Sequence, residues 1–314
     1  MRIKTPSRIH VTLIDLNGSI GRIDGGVGIT LNEPYIEIKF KKSDEVKVRG
    51  VAINLERFKQ IADKFSKIFK SGIEIEVLSD YHDHVGLGSG TQITLAVGMA
   101  FNKLYDLGMS VEKIAEIGGR GGTSGIGVNA FKVGGFIVDG GHSKKIKKDF
   151  LPSSASKAKP APIIARHDFP DWDIVVVIPD LKGFYGRREV NLFQSYCPIP
   201  LSDVQKVCHL ILMKMLPAIV ENDLDEFGES LREIQYLGFK KIEIDQYGTL
   251  IWNLINATDV YMGMSSTGPA VFAVVDSNPK TVEKEIKTYF KDRGFECTSF
   301  VTKARNRGAE IEQL

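Results

Sequence analysis

The chain has 314 residues, of which 43% are hydrophobic and 25% are charged, and its formal net charge is +2. This length and composition predict a globular protein that buries one large core or, more in keeping with its size, two packed domains. A charge so close to neutral argues against a general nucleic-acid binder, whereas small anions need only local positive charge. The three cysteines are odd in number and far apart, so neither a disulfide framework nor a zinc site is predicted.

The apolar segments of the sequence indicate the compartment in which the protein works. The start of the chain, MRIKTPSRIH, lacks the apolar stretch of a signal peptide. The longest apolar runs, such as AVFAVV at 270–275, are far too short to span a bilayer. We therefore expect a cytoplasmic protein that has no membrane or nucleic-acid partner.

Strand and helix patterns alternate in the first half of the chain. Alternating apolar residues at 36–40 and 73–77 predict strands on either side of a helix that begins near Leu55. A glycine-rich loop, HVGLGSGTQ at 84–92, runs directly into an apolar-periodic segment. This order predicts a helix that has the loop at its N-terminus. Ser110 is the predicted N-cap of the next helix.

The middle and second half of the chain contain the predicted domain junction. Glycines are dense at 118–141, which indicates close backbone approaches. The stretch SSASKAKPAP at 153–162 has no periodicity and precedes the buried-strand pattern IVVVI at 174–178, so we predict domains at 1–160 and 161–314. The remaining predicted elements are helices around 204–215, 224–234 and 282–289 and strands around 270–275 and 295–301.

The glycine loop is the strongest candidate for a binding site. Glycines allow successive backbone N–H groups to point at one place, and the start of a helix adds partial positive charge there. The loop lacks the lysine of a Walker motif and the glycine spacing of a dinucleotide fingerprint. We expect it to bind phosphate or diphosphate; the alternative is a tight turn whose glycines only permit packing. The candidate residues are Gly86, Gly88, Ser89, Gly90 and Thr91.

Three separated stretches resemble motifs of the GHMP kinase superfamily, and they occur in the order of that superfamily. They are TPSRIHVTLIDLNG at 5–18, GLGSGTQITLA at 86–96 and GMSSTGPAVFAVV at 263–275. The resemblance covers nearly the whole chain. It implies an α+β fold whose N-terminal domain is similar to the second domain of ribosomal protein S5 and whose C-terminal domain is ferredoxin-like, with the active site between them.

One departure from the kinases changes the implied reaction. Several of these kinases carry a stretch like G-T-P-S-G-I-D, whose aspartate supports phosphoryl transfer, but here the text is GGTSGIG and Gly127 stands at that position. A glycine has no side chain to accept a proton or to pair with a lysine. The stretches GLGSGTQ, RGGTSGIGVNAF and GGFIVDGGH together resemble a branch of the superfamily that works in methanopterin biosynthesis.

Members of that branch transfer a phosphoribosyl group from 5-phosphoribosyl 1-diphosphate to 4-aminobenzoate or 4-hydroxybenzoate. The reaction forms a β C-riboside and releases diphosphate and carbon dioxide. The sequence does not choose between the two benzoates, because they share the carboxylate and the ring and differ in one polar atom. We expect magnesium to arrive with the diphosphate of the substrate. The resemblance also leads us to expect a homodimer.

Further residues are candidates because they lie in the matching motifs or carry useful charge. Candidates for catalysis are Arg8, His10 and Asp139. A second set of phosphate ligands from the C-terminal motif is Ser265, Ser266, Thr267 and Gly268, and domain packing is its alternative. Candidates for substrate binding are Thr123, Ser124, Arg187 and Arg188. For Arg8, Arg187 and Arg188, ordinary surface charge is the alternative.

No protein metal site is predicted. Asp24 and Asp139 each precede a Gly-Gly pair and are candidates for magnesium or ribose hydroxyls, but Asp-Gly is also an ordinary turn signal, which is favoured for Asp24. His82 and His84 flank Asp83, yet two histidines without a third spaced ligand more often form a polar edge than a metal site.

Two other function classes stay open at the level of the sequence. The chain could be a GHMP-type small-molecule kinase that uses another acid, or a relative that binds metabolites without catalysis. Nucleotide consumption would indicate the kinase, whereas release of diphosphate and carbon dioxide would indicate the phosphoribosyl transfer. Binding of phosphoribosyl diphosphate without turnover would indicate the binding protein.

Overall fold

The computed structural model describes residues 1–153 and 155–313. Within these ranges the strands form two β-sheets, one of eight strands and one of four. Ser154 of the predicted linker lies outside the described residues. The strands, in chain order, are β1 (Arg2–Asp15), β2 (Arg22–Ser43), β3 (Val46–Gly50), β4 (Gly72–Ser79), β5 (Phe136–Asp139), β6 (His142–Ser143), β7 (Ile163–His167), β8 (Asp173–Pro179), β9 (Met262–Met264), β10 (Val271–Val275), β11 (Cys297–Lys303) and β12 (Glu310–Glu312).

Helices pack against both sheets. They are α1 (Leu55–Phe69), α2 (Ser89–Leu104), α3 (Val111–Gly118), α4 (Ile126–Lys132), α5 (Arg187–Tyr196), α6 (Leu201–Leu210), α7 (Leu216–Glu221), α8 (Leu224–Gln235), α9 (Gly238–Asp245), α10 (Thr249–Ala257) and α11 (Pro279–Lys291), with a π-helical turn at Ile211–Met215 between α6 and α7. Within the described ranges, no helix is both long enough and apolar enough to cross a membrane.

The first sheet is built around the long antiparallel pair of β1 and β2, in the order β12-β1-β2-β4-β3. The strands predicted at 36–40 and 73–77 are confirmed and are neighbours, since Phe40 faces Ile75 across the ladder. Helix α1 turns Phe58, Ala62 and Phe65 into the core, as the predicted apolar face requires. Helix α2 is buried along most of its length, which places the preceding glycine loop at a fixed point.

The second sheet has the antiparallel order β11-β8-β10-β9. The predicted strand IVVVI is the centre of β8, and Val175, Val176 and Val177 are fully buried because β8 is covered on both faces. Strand β10 pairs with β8 and β9, which brings the stretch that follows Met264 to the edge nearest the first sheet.

The two sheets do not divide the chain at a single residue. Strand β7 pairs with β5, and β12 pairs with β1, so both join the first sheet although they follow residue 160. The predicted domains 1–160 and 161–314 stay a prediction about folding units. The consequence for function is that the two halves share an extensive contact, with the candidate site in the cleft between them.

Candidate active site

A cavity of about 580 Å³ lies where the three motifs meet. Its wall contains the predicted loop residues Gly86, Gly88, Ser89, Gly90 and Thr91, together with Arg8, His10, Thr123, Ser124, Gly127, Ser266 and Thr267. Residues of α5 and of the segment before it close another side, including Phe184, Tyr185 and Glu189. The structure therefore brings most of the predicted site residues together from distant parts of the chain.

The glycine loop has the backbone geometry that a cradle needs. Gly88 has a φ of 83°, in the left-handed region that favours glycine, and it is the N-cap of α2. The predicted helix after the loop is confirmed and begins at Ser89. Gly86 also has a positive φ, of 94°, and a side chain there would overlap the carbonyl oxygen of Ser265. The first N–H groups of α2 are thus presented at the cavity wall.

Arg8 lies directly under this loop. Its Nη1 donates a hydrogen bond to the carbonyl oxygen of Gly86, and its Cζ lies 3.2 Å from the place a Cβ on Gly88 would occupy. Burial lowers the pKa of Arg8 to about 10, so the side chain is still cationic at neutral pH. The candidate from the N-terminal motif is therefore a buried cation at the base of the anion cradle.

Two further arginines, which the sequence did not single out, reach the same loop from another side. Nη2 of Arg120 lies 3.3 Å from the place a Cβ on Gly90 would occupy, and that Cβ would overlap Nη2 of Arg57. Arg57 is also paired with Asp83 at 3.0 Å. Burial, followed by the charge of Arg57, lowers the pKa of Arg120 to about 10. We call Arg57 and Arg120 the arginine corner.

His10 and Ser124 form the floor of the cavity, and the fully buried carboxyl group of Asp139 lies behind them, close to Gly26. A Cβ on Gly26 would lie 2.5 Å from Oγ of Ser124, 3.0 Å from Nε2 of His10 and 3.2 Å from Oδ2 of Asp139. Ser124 donates to Asp139 at 3.0 Å. Burial keeps the pKa of His10 well below its usual value, and burial raises the pKa of Asp139 to about 7. The imidazole of His10 is thus neutral at pH 7, whereas Asp139 gains or loses its proton near neutral pH.

Asp24 lies in a separate buried cluster beside this floor. Its carboxylate is 2.6 Å from Nδ1 of His142 and accepts hydrogen bonds from Nζ of Lys147 at 2.9 and 3.1 Å. Lys147 also donates to Oγ1 of Thr123 and to the carbonyl oxygen of Leu151, at 3.1 and 3.0 Å. Both oxygens of the Asp24 carboxylate are therefore engaged by partners within the protein. We call this group the aspartate cluster.

Hydrogen bonds join the C-terminal motif to the N-terminal motif and the glycine loop. Oγ of Ser265 accepts from the backbone N–H of His10 at 3.0 Å and donates to the carbonyl oxygen of Gly86 at 2.7 Å. Lys240, which is fully buried, donates to the carbonyl oxygens of Met264 and Ser266 and pairs with Glu243 at 2.5 Å. The predicted phosphate-binding role of Ser265, Ser266, Thr267 and Gly268 stays a prediction.

Some predicted residues lie outside the cavity wall. Arg187 and Arg188 are exposed at the start of α5, and their predicted role in substrate binding stays a prediction. His82 is exposed as well, whereas His84 lines the cavity and stacks on Tyr185 with ring centroids 3.8 Å apart. This contact joins the first half of the chain to the second at the mouth of the cavity.

Gly127 lies in the wall, as the resemblance to the kinases implied. Its carbonyl oxygen accepts a hydrogen bond from Nε2 of Gln92 at 2.7 Å, and a Cβ there would lie 3.2 Å from Cγ2 of Thr91. At position 127 the wall therefore consists of the glycine backbone and the methyl group of Thr91, and position 127 itself supplies no carboxylate. Among the described residues, no group of three or more His, Cys, Asp or Glu side chains is placed to hold a metal ion.

Comparison with known proteins identifies the family. The GHMP kinases N terminal domain matches residues 54–135, and the GHMP kinases C terminal domain matches residues 215–292. Two solved structures show the same fold: homoserine kinase from Cytophaga hutchinsonii, with a TM-score of 0.65, 15% identity and coverage of 99% of this chain and 96% of that chain, and phosphomevalonate kinase from Streptococcus pneumoniae, with a TM-score of 0.66, 13% identity and coverage of 96% and 99%. The predicted α+β fold of the GHMP type is confirmed.

More similar relatives belong to the predicted branch. The chain is 64% identical over 312 residues to the beta-ribofuranosylphenol 5'-phosphate synthase of Archaeoglobus fulgidus, with 99% of each chain covered. It is 47% identical over 330 residues to the protein of the same name from Methanocaldococcus jannaschii, with 99% of this chain and 100% of that chain covered. The chain therefore belongs to the beta-ribofuranosylphenol 5'-phosphate synthase family, a branch of the GHMP kinase superfamily.

Proposed function

We propose that the protein transfers a phosphoribosyl group from 5-phosphoribosyl 1-diphosphate to a para-substituted benzoate, forming a β C-riboside and releasing diphosphate and carbon dioxide. The observation that carries this proposal is the meeting of the glycine loop with Arg8, Arg57 and Arg120 in one cavity. Such a site suits a substrate with several anionic groups. Position 127 offers no carboxylate for kinase chemistry.

The names of the relatives favour one of the two acceptors. Proteins 64% and 47% identical to this chain are named for a ribofuranosylphenol phosphate product. A phenol product requires an acceptor with a hydroxyl group para to the carboxylate. We therefore propose 4-hydroxybenzoate as the acceptor, in preference to 4-aminobenzoate, and methanopterin biosynthesis as the pathway.

The bond changes balance without a redox or pyridoxal cofactor. The bond between C1 of the ribose and the diphosphate oxygen breaks, and its electron pair leaves with the diphosphate. The ring carbon that carries the carboxylate, enriched in electrons by the para hydroxyl group, forms the new bond to C1. Carbon dioxide then leaves, and the electron pair of its carbon–carbon bond restores the aromatic ring.

The residues of this cavity would act mainly on the departing negative charge. Backbone N–H groups at the start of α2 and the guanidinium of Arg8 are fixed before substrate arrives, so they need no rearrangement as charge develops on diphosphate. The neutral imidazole of His10 and the hydroxyl of Ser124 suit the uncharged ribose hydroxyls better than a phosphate.

Magnesium is proposed to enter with the diphosphate. The ion prefers oxygen ligands and keeps several waters, so a site with cations and N–H donors fits a metal already bound to the substrate. When bound, it neutralises part of the charge on the leaving group. Turnover is expected to stop in excess chelator and to return on addition of magnesium; undiminished turnover in chelator would overturn this proposal.

The proposed function is tested by following the carboxyl carbon of the benzoate acceptor. The protein is incubated with phosphoribosyl diphosphate, magnesium and carboxyl-labelled 4-hydroxybenzoate, and labelled gas and free diphosphate are measured together. Equal amounts of the two products are expected, and 4-aminobenzoate is run in parallel to compare kcat/KM. Binding of phosphoribosyl diphosphate without either product would show a binding protein instead.

The kinase alternative is tested at Gly127. If the chain is not a kinase, the substitution Gly127→Asp is not expected to create phosphoryl transfer from ATP. The native reaction is expected to slow because the new side chain crowds Thr91, whose Cγ2 lies 3.2 Å from the Cβ position. Robust ATP-dependent phosphorylation of a small alcohol by this variant would show that the missing carboxylate had been misjudged.

A further inference from the structure

The arginine corner contains more positive charge than the surrounding protein neutralises. Arg57 is paired with Asp83 at 3.0 Å, whereas Nε of Arg120 donates to the hydroxyl of Thr94 at 3.2 Å. In the described part of the chain, no ion pair involves Arg120. Two guanidiniums that both lie against Gly90 repel each other, and partial burial strengthens that repulsion.

The backbone is shaped to permit this repulsive arrangement. Gly90 is the second residue of α2, and a side chain there would overlap Nη2 of Arg57. The glycine thus lets both guanidiniums approach the first N–H groups of the helix, which are themselves partly positive. Two guanidiniums at the wall of a cavity, with one carboxylate paired to Arg57 and none to Arg120 in the described residues, indicate a ligand that carries several negative charges.

We infer that Arg57 and Arg120 bind the diphosphate of the phosphoribosyl donor and stabilise it as it leaves, while the 5-phosphate binds elsewhere in the cavity. This inference rests on the proposed function. The diphosphate is the more highly charged of the two anionic groups of the donor, and its charge grows as the bond to C1 breaks. The corner supplies two guanidiniums for one carboxylate, and their planar forks can each pair with two phosphate oxygens at once.

Asp83 acts as a positioning residue in this arrangement. Its Oδ2 holds Nη1 of Arg57 and lies 3.3 Å from Nε2 of His84, the histidine that stacks on Tyr185. Asp83 thus fixes the direction of Arg57. Because the corner contains two guanidiniums and one carboxylate, it keeps a net positive charge.

The test compares binding of two probes that each resemble one end of the donor. Isothermal calorimetry with magnesium measures the Kd of inorganic diphosphate and of ribose 5-phosphate for the wild-type protein and for Arg120→Gln. Loss of charge-assisted hydrogen bonds of this kind is expected to weaken diphosphate binding by about 10- to 100-fold. Ribose 5-phosphate binding is expected to change by less than about threefold, and kcat is expected to fall with the diphosphate affinity.

Matched variants separate binding from folding and from general charge. Arg49→Gln removes the same charge from an exposed strand outside the cavity and is expected to leave both Kd values unchanged. Gly90→Ala removes no charge but displaces Arg57, and it is expected to weaken diphosphate binding as well. Arg120→Lys keeps the charge without the fork and is expected to fall between Arg120→Gln and the wild type. Circular dichroism and the Tm of each variant show whether it is folded.

The outcomes are distinct. Unchanged diphosphate affinity in folded Arg120→Gln would overturn the inference and make the corner structural. Equal or greater weakening of ribose 5-phosphate binding would assign the corner to the 5-phosphate and also overturn it. Absence of labelled carbon dioxide from the wild type would overturn the proposed reaction, yet the diphosphate titrations would still decide the inference.

Discussion

Two polar groups lie close to the same cavity, and they differ in how far the protein neutralises them. In the aspartate cluster, Asp24 is held by His142 and Lys147, and Lys147 uses further bonds to Thr123 and Leu151. In the arginine corner, Arg57 is paired with Asp83, whereas Arg120 has no carboxylate partner among the described residues. The first group has partners of opposite charge within the fold, and the second has a surplus.

This difference distinguishes a group that stabilises the fold from a group that binds a ligand. A buried ion pair whose hydrogen bonds are complete fixes the chain around it, and it has nothing left to offer a ligand. An incomplete group costs free energy until a ligand of opposite charge completes it. Changes in the aspartate cluster should therefore lower stability, whereas changes at the loop and corner should lower ligand binding and rate with the fold intact.

The largest expected effect is on the aspartate cluster. Lys147→Met leaves the fully buried carboxylate of Asp24 without its cation, and removal of one partner of a buried pair typically costs about 3–5 kcal/mol. Urea unfolding measures the free energy. Lys148→Met, at the next and exposed position, is the control and is expected to change it by less than about 0.5 kcal/mol. Equal stability of the two variants would remove the contrast between scaffold and site.

A pH-dependent effect is expected at Asp139, whose carboxyl group interacts with His142 of the aspartate cluster. Burial raises its pKa from 3.8 to about 7, so the folded protein holds a proton that the unfolded chain releases above pH 4. The contribution of Asp139 to stability is therefore greatest in acid and falls as pH rises towards 7, by on the order of 4 kcal/mol at most.

The substitution Asp139→Asn removes this pH-dependent contribution to the free energy of unfolding. Asparagine does not titrate, so the stability difference between wild type and variant should shift in favour of the variant from pH 4 to pH 7. Unfolding by denaturant at a series of pH values measures it. A difference that is independent of pH would mean that Asp139 is ionised in the folded protein throughout that range.

At the loop, Gly88→Ala is expected to reduce rate more than stability. Alanine is strained at a φ of 83° and would press on Arg8, whose Cζ lies 3.2 Å from the Cβ position, so the N–H groups and the guanidinium would both shift. Loss of one such donor to a developing charge costs on the order of 3 kcal/mol, about a hundredfold in kcat. Lower Tm with unchanged kcat per folded molecule would instead show a loop that serves only packing.

The smallest expected effect is that of Ser89→Ala. The substitution removes one hydroxyl at the first residue of α2 and leaves the backbone cradle in place. A neutral hydrogen bond of this kind is worth roughly 1 kcal/mol, so kcat/KM for phosphoribosyl diphosphate should fall about fivefold. If Ser89→Ala proved more harmful than Gly88→Ala, the side chain, and not the backbone, would be the main anion ligand.

Local periodicity and motif order were sufficient to predict most of the fold. The apolar spacing that follows the loop predicted α2, and Ser110 caps α3 by accepting from the N–H of Lys113, as its position indicated. Strand β8 followed from the run IVVVI. Each of these signals is contained within a few residues, so no knowledge of distant contacts was needed.

The arginine corner was not predicted because its signal is divided between two distant parts of the chain. Arg57 lies in α1 and reads as an ordinary polar position of an amphipathic helix, and Arg120 lies 63 positions later in a glycine-rich loop. They become neighbours only because α1 and α3 both pack against α2. The one local hint is the text GGRGG, in which glycines on both sides give an arginine freedom to approach other backbone.

The hydroxyl of Ser265 has a mechanical consequence. It is bonded to the N–H of His10 and to the carbonyl oxygen of Gly86, so one atom group fastens β1, the loop before α2 and the end of β9 to one another. Separation of the two halves at this point would break both hydrogen bonds at once. An opening that keeps these two bonds would have to separate the halves elsewhere along the cavity, for example at the stacked rings of His84 and Tyr185.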